Sequence, residues 1–168
     1  MNQKTNIVLI GMPAVGKSTV GLVLAETLHC SFMDTDLYIK EREGCDLREI
    51  IAREGLEGFC RREEQHVMSI ETENTVISTG GSVVYGEKAM AHLKETGYIV
   101  YLVADIHILK SRLDDPEKRG VVRKPGQSFE SLLEERDALY RQYADFIVFC
   151  PAGETPSATA ARVVKKLP

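Results

Sequence analysis

The chain lacks a surplus of basic residues: 21 Lys and Arg stand against 25 Asp and Glu, for a net charge of -4. Non-specific binding to duplex nucleic acid needs such a surplus to displace counterions, so a nucleic-acid partner is not expected. No apolar run reaches the roughly 18–20 residues that span a bilayer, and no membrane role is expected. The start, Met1 to Asn6, is polar and lacks the long apolar region and cleavage signal of a secretory peptide. No C-x-x-C pair occurs among Cys30, Cys45, Cys60 and Cys150, and the four histidines are scattered, so no zinc-ligand spacing arises. Reduced, mostly packed thiols of a cytoplasmic protein fit this usage. Internal repeats, linkers and low-complexity tracts are absent as well.

What is present looks globular. Hydrophobic residues make up 43% and charged residues 27% of 168 positions, which suits a single domain over residues 1–168. Short apolar runs alternate with helical patterns. Strands are expected at Asn6–Ile10, Ser31–Asp34, Thr75–Ser78, Tyr98–Val103 and Phe146–Cys150. Helices are expected at Lys17–Leu28, Leu37–Glu43, Leu47–Glu54, Glu57–Ile70, Glu87–Glu95, Ile106–Leu113, Phe129–Tyr143 and Ser157–Lys166. Gly97 reads as a C-terminal glycine stop, and Asp105 and Ser128 as N-caps. The alternation implies an α/β fold with a parallel sheet covered on both faces. Residues 114–127, charged and carrying two glycines and two prolines, form a connector long enough to be a lid.

Gly11-Met12-Pro13-Ala14-Val15-Gly16-Lys17-Ser18-Thr19 matches G-x-x-x-x-G-K-[ST], with a strand before it and a helix after it. Glycines let the backbone wrap closely around phosphate oxygens, and the amide N–H groups with the helix N-terminus supply positive potential. Lys17 then serves the β- and γ-phosphates of a nucleotide, and the Ser18 hydroxyl ligates Mg²⁺. Asp34-Thr35-Asp36 ends the second strand, where ligands of open parallel sheets bind. Two carboxylates there suit a metal-bound water and an acceptor hydroxyl. A competing role for one of them, Asp36 in particular, is to N-cap the following helix. Asp105 is a rival metal-side acid, read here as a cap. Thr79-Gly80-Gly81-Ser82, after the third strand, permits close approach of a ligand. Arg112, Arg119, Arg123 and Arg136 are candidates for neutralising a transferring phosphate, Arg119 from within the lid.

In this order and spacing the motifs resemble the shikimate kinase family over nearly the whole chain. The resemblance rests on Gly11–Gly21, Asp34–Asp36, Glu54–Phe59 with Arg62 and Glu63, Thr79–Gly81, Arg112 with Arg119, and Glu135–Tyr140 with Ala144-Asp145. It implies a three-layer P-loop kinase fold of the nucleoside-monophosphate-kinase type, with five parallel strands in the order 2-3-1-4-5, acceptor-binding helices over about 36–70, and a lid. It implies transfer of the γ-phosphoryl group of MgATP to a hydroxyl of shikimate, with a monomer expected. By position, Lys17 and Ser18 serve phosphates and Mg²⁺, and Asp34 binds the Mg²⁺ shell. Asp36 holds the acceptor hydroxyls and acts as, or near, the base. Arg119 closes over the phosphates, Arg112 and Pro156 flank adenine, and Arg136 binds the acceptor's carboxylate.

Three positions depart from the family pattern. Cys60 follows Phe59 where the family has an arginine that shares the carboxylate. Ser82 replaces the third glycine of the turn, and Gly120 stands where proline usually follows the lid arginine. The first two fall on the acceptor pocket around Asp36, Cys60, Gly80, Gly81 and Arg136. The acceptor is therefore a small hydroxylated carboxylic acid: shikimate with a clamp rearranged onto Arg61 or Arg62, or another hydroxy acid such as homoserine, whose ammonium would face Glu63 or Glu64. A non-catalytic nucleotide-binding module is the remaining alternative.

Overall fold

The computed structural model describes residues 4–113 and 121–168. Its centre is a five-stranded parallel sheet in the order β2-β3-β1-β4-β5, made of β1 (Asn6–Ile10), β2 (Ser31–Asp34), β3 (Thr75–Ser78), β4 (Gly97–Val103) and β5 (Phe146–Phe149). Every residue of β1 and β3 is buried, which a strand achieves only when both faces of the sheet are covered. Val8 pairs in register with Ile77 on one side and Ile99 on the other, so the carboxyl ends of β1, β2 and β3 finish side by side. Asn6, buried at the opposite end, donates from Nδ2 to Thr72 O (2.8 Å) and accepts from Thr75 N (3.1 Å), pinning that edge of the β1–β3 pair.

Helices α1 (Lys17–Leu28), α2 (Thr35–Glu43), α3 (Leu47–Met68), α4 (Glu87–Thr96), α5 (Ile106–Arg112), α6 (Phe129–Tyr143) and α7 (Pro156–Val164) flank the sheet, with a 3₁₀ turn at Val83–Tyr85. The two helices expected around Gly55 form the continuous run α3, broken where Gly55 adopts φ 71° and ψ -178°. Its end is Met68, so Ile70 lies beyond the helix, with its N–H on Val67 O. The main core lies between sheet and helices. A second cluster of Ile39, Ile50 and Phe59 joins α2 to both halves of α3 and includes half-buried Leu47, Cys60 and Val122 at its margin.

Two local expectations change. Gly97 is not a left-handed helix stop: its backbone is extended (φ -143°, ψ 163°) and it opens β4, where an added Cβ would meet Val8 at 3.0 Å and Asn6 O at 3.1 Å. Asp105 occupies the N-cap position of α5, but its side chain makes no capping hydrogen bond; its carbonyl accepts from Ile108 and Leu109 instead. Ser128 does cap α6, accepting from Ser131 N at 3.1 Å. Of the expected lid, residues 114–120 lie outside the described residues, and 121–127 form irregular chain of which Val121 and Val122 line the cleft.

Candidate active site

A cleft of about 1000 Å³ opens at the carboxyl ends of β1, β2 and β3. Its floor is the loop from Gly11 to Gly16, which leaves β1 and enters α1. Gly11 is fixed by space, since a Cβ there would sit 2.6 Å from Leu102 O. Ala14 (φ 67°) and Gly16 (φ 107°) both take positive φ, bending the loop back toward the first turn of α1. Lys17 is buried, and its ammonium donates to the carbonyls of Gly11 (2.7 Å) and Met12 (2.9 Å). Burial pushes Lys17 down to about 8, an effect opposed by nearby Asp36 and reinforced by Arg136.

The acidic pair divides its labour. Asp34 is the N-cap of α2: Oδ1 accepts from Asp36 N (2.9 Å) and Leu37 N (3.3 Å), while Oδ2 accepts from Ser18 Oγ (2.6 Å). Ser18 Oγ also lies 3.1 Å from Ser78 Oγ. The capping role considered for Asp36 thus belongs to Asp34, and Asp36 turns its carboxyl into the cleft. Burial, then the neighbouring Asp34 charge, push Asp36 up to about 6, against the pull of Lys17.

Facing Asp36 is the Thr79–Ser82 turn. Gly80 N donates to Thr35 Oγ1 (3.1 Å), and Thr79 Oγ1 to Leu9 O (2.9 Å), which lock the turn against β1 and α2. A Cβ on Gly80 would meet Asp36 Oδ1 and Glu63 Oε1, each at 2.7 Å; one on Gly81 would meet Arg136 Nη1 and Pro13, each at 2.9 Å. The bare backbone therefore lets two carboxyls and one guanidinium converge. Glu63 on α3 is buried, accepts from Ser82 Oγ at 2.6 Å, and leaves Oε1 without a partner among the described residues. Its burial, with Asp36 adding repulsion, pushes it up to about 7.

Arg136 on α6 is 1% exposed. Nε donates to Tyr85 Oη (3.3 Å), which itself donates to Glu135 (2.5 Å), and Nη2 donates to Val122 O. Nη1 has no partner. A buried charged donor left unpaired is costly unless a ligand meets it. Tyr140, fully buried, donates to Gly81 O at 2.6 Å and holds the turn beneath that guanidinium.

The cleft brings together most of the residues picked out from sequence: 13–19 of the loop, Asp34, Asp36, Gly80, Gly81, Arg112, Arg136 and Pro156. Gly11 and Met12 begin that loop but do not themselves line the cleft, and Met12 is buried beside Tyr140. Arg112 donates to the carbonyls of Ala14 (3.2 Å) and Val15 (3.0 Å) at the outer end of the loop. Cys60 does not line the cleft; its half-buried thiol packs at the edge of the second cluster, and burial pushes it up to about 11. Neither arginine proposed to replace the family's clamp stands there. Arg61 is exposed and off the cleft wall, and Arg62 is bound to Glu43 (2.9 Å) and Glu54 (2.6 Å). Glu64 accepts from Lys88 N at the start of α4. Arg119 lies outside the described residues. Sequence reasoning missed Arg48, Tyr85 and Tyr140; the tyrosines' only signal was their place near the turn and in the Glu135–Tyr140 motif.

Sheet order, phosphate loop and acid pair define a small P-loop kinase of the nucleoside-monophosphate-kinase type. The family model described as shikimate kinase matches residues 13–168, and the chain belongs to that family, whose members are ATP-dependent small-molecule kinases. It is 37% identical over 151 residues to the shikimate kinase of Aliivibrio fischeri, covering 88% of each chain. It is 35% identical over 171 residues to that of Tolumonas auensis, covering 99% of this chain and 96% of the relative. Among solved structures, shikimate kinase from Acinetobacter baumannii in complex with shikimate superposes with a TM-score of 0.87 at 28% identity, over 97% and 92% of the two chains. The Aquifex aeolicus enzyme gives 0.80 at 30% identity, over 95% and 94%. Among the described residues no helix is long and apolar enough to cross a membrane.

Proposed function

We propose that the chain transfers the γ-phosphoryl group of ATP to a hydroxyl of shikimate, with Mg²⁺ as the metal. The carrying observation is the convergence, in one cleft, of the phosphate loop, the buried Asp36 carboxyl and the unpartnered Nη1 of Arg136. A hydroxylated carboxylic acid complements that pair: Arg136 takes the carboxylate and Asp36 the hydroxyl.

In this reading the loop amides and Lys17 hold the triphosphate, Lys17 exchanging its two carbonyl partners for phosphate oxygens. Ser18 and Asp34 would hold Mg²⁺: they are hard oxygen donors, the type magnesium prefers, brought side by side by the hydrogen bond between them. Bound there, the metal neutralises phosphate charge. Asp36 is ionised near pH 7, yet basic enough to accept the hydroxyl proton as the new bond forms. Pro156 and Arg112 flank the base at the outer end of the cleft. Arg119 enters through the family pattern as the residue that closes over the phosphates, the acceptor-binding helices span about 36–70, and the whole chain acts as one unit.

A coupled ADP-release assay tests the proposal. Turnover with shikimate well above the acceptor-free rate is expected, and none at millimolar shikimate would reject it. The Glu63 Oε1 beside Gly80, unpartnered among the described residues, favours a second reading, another hydroxy acid such as homoserine, which the same assay with a panel of acids separates.

A further inference from the structure

Arg136 offers a carboxylate a limited grip. Its Nε is spent on Tyr85 and one N–H of Nη2 on Val122 O, so Nη1 is the nitrogen with no partner among the described residues. A carboxylate carries two oxygens and takes a forked pair of donors when it can. Among the described residues the other arginines around the acceptor wall are committed or displaced, Arg123 donating to Gln127 O. Arg62 is bound by Glu43 and Glu54, Arg61 is off the cleft wall, and Arg112 serves the outer end of the phosphate loop.

Arg48 is different. It lines the cleft together with Leu47, Phe59, Val121, Val122 and Arg136. It also lines the adjoining groove with Val121 and Val122, so it borders the chain segment whose carbonyl anchors Arg136. It forms no hydrogen bond or ion pair with any described residue; the neighbouring Asp46 places its carboxylate on Lys40 at 2.5 Å. Its local electrostatic partner is Asp46, which it meets through space only and which shares the cleft wall with it. Arg48 stands in the first turn of α3, where the helix dipole disfavours a cation.

We propose that Arg48 is the second cation of the acceptor's carboxylate clamp, reaching from the start of α3 toward the anion held by Arg136. It thereby replaces in function the arginine that Cys60 displaces, and it sets the preference for an acidic acceptor. The inference rests on the proposed role of Arg136.

The test compares wild type, Arg48→Ala and Arg48→Lys with shikimate and with its uncharged methyl ester, by steady-state kinetics and by calorimetric titration. Arg48→Ala should raise KM for shikimate about 10- to 50-fold, less than a fully desolvated pair would cost because the side chain is exposed. KM for ATP and the thermal midpoint should stay unchanged. The preference for acid over ester should collapse, and Arg48→Lys should restore part of it, since a lysine supplies charge without the fork. An Arg48→Ala enzyme that keeps both its KM for shikimate and its acid preference overturns the proposal. If wild type turns over a different acid of the panel, the proposed acceptor fails and Arg48 is judged on that acid and its ester. If wild type binds no acid at all, both fall.

Discussion

Gly80→Ala tests the convergence at the acceptor site most sharply. The added methyl would sit 2.7 Å from both Asp36 Oδ1 and Glu63 Oε1, where ordinary contact begins at 3.4 Å, so each oxygen must yield by about 0.7 Å. Neither moves freely. Asp36 sits on a helix turn capped by Asp34, and Glu63 is buried and tied to Ser82. The backbone turn cannot yield either, being held by Thr35 and, one residue on, by Tyr140. Displacing a catalytic base by up to 1 Å costs on the order of 10²-fold in rate, and overpacking of this size costs about 1–3 kcal/mol of stability. We therefore expect kcat for shikimate to fall about 100-fold, measured by coupled ADP release well below the melting temperature. ATP affinity should be unchanged in a calorimetric titration, because the phosphate loop is untouched. A kcat within threefold of wild type would refute the placement of Asp36 as the base.

Asp36→Asn should abolish transfer while ATP affinity is retained, and wild-type kcat/KM should fall on the acid side with an apparent pKa near 6, as Asp36 takes up a proton; an equal loss of ATP affinity in the variant would contradict the division of roles. Lys17→Ala should abolish transfer too. In wild type, ATP affinity should weaken as pH rises through about 8, where free Lys17 loses the charge that meets phosphate, and the variant should lose that dependence. Glu63 is raised in the folded state to about 7, so it contributes stability that is fully present below its unfolded value and lost as pH rises through 7. Urea melts of wild type should lose about 2–3 kcal/mol more between pH 4.5 and 8 than those of Glu63→Gln. Tyr140→Phe removes the bond to Gly81 O and should cost about 1–2 kcal/mol of stability, read the same way.

The phosphate loop was legible because its chemistry is local: glycine, lysine and hydroxyl at fixed spacing between a strand and a helix. The strand order was legible through the family resemblance, because alternation implies a parallel sheet without ordering it. The Asp34–Asp36 pair was located, but the choice of capping residue depended on whether α2 begins at Thr35 or later. Residues whose roles arise from non-local packing escaped. Nothing in the sequence says that Glu63 and Asp36 bracket Gly80, that Tyr140 reaches Gly81, or that Arg62 is consumed by Glu43 and Glu54. Arg48 reads as an ordinary surface charge until the cleft is seen. Gly97 misled because a glycine after a helical pattern signals a cap, whereas here the close approach of Asn6 and Val8 requires it.

The central claim is phosphoryl transfer between two ligands held in one cleft. Phosphorus NMR of the purified protein with MgATP and shikimate tests it directly. The account predicts loss of the γ-phosphate resonance with matching growth of a phosphomonoester that appears only when shikimate is present. ATP that stays intact, or that yields inorganic phosphate alone, would contradict it.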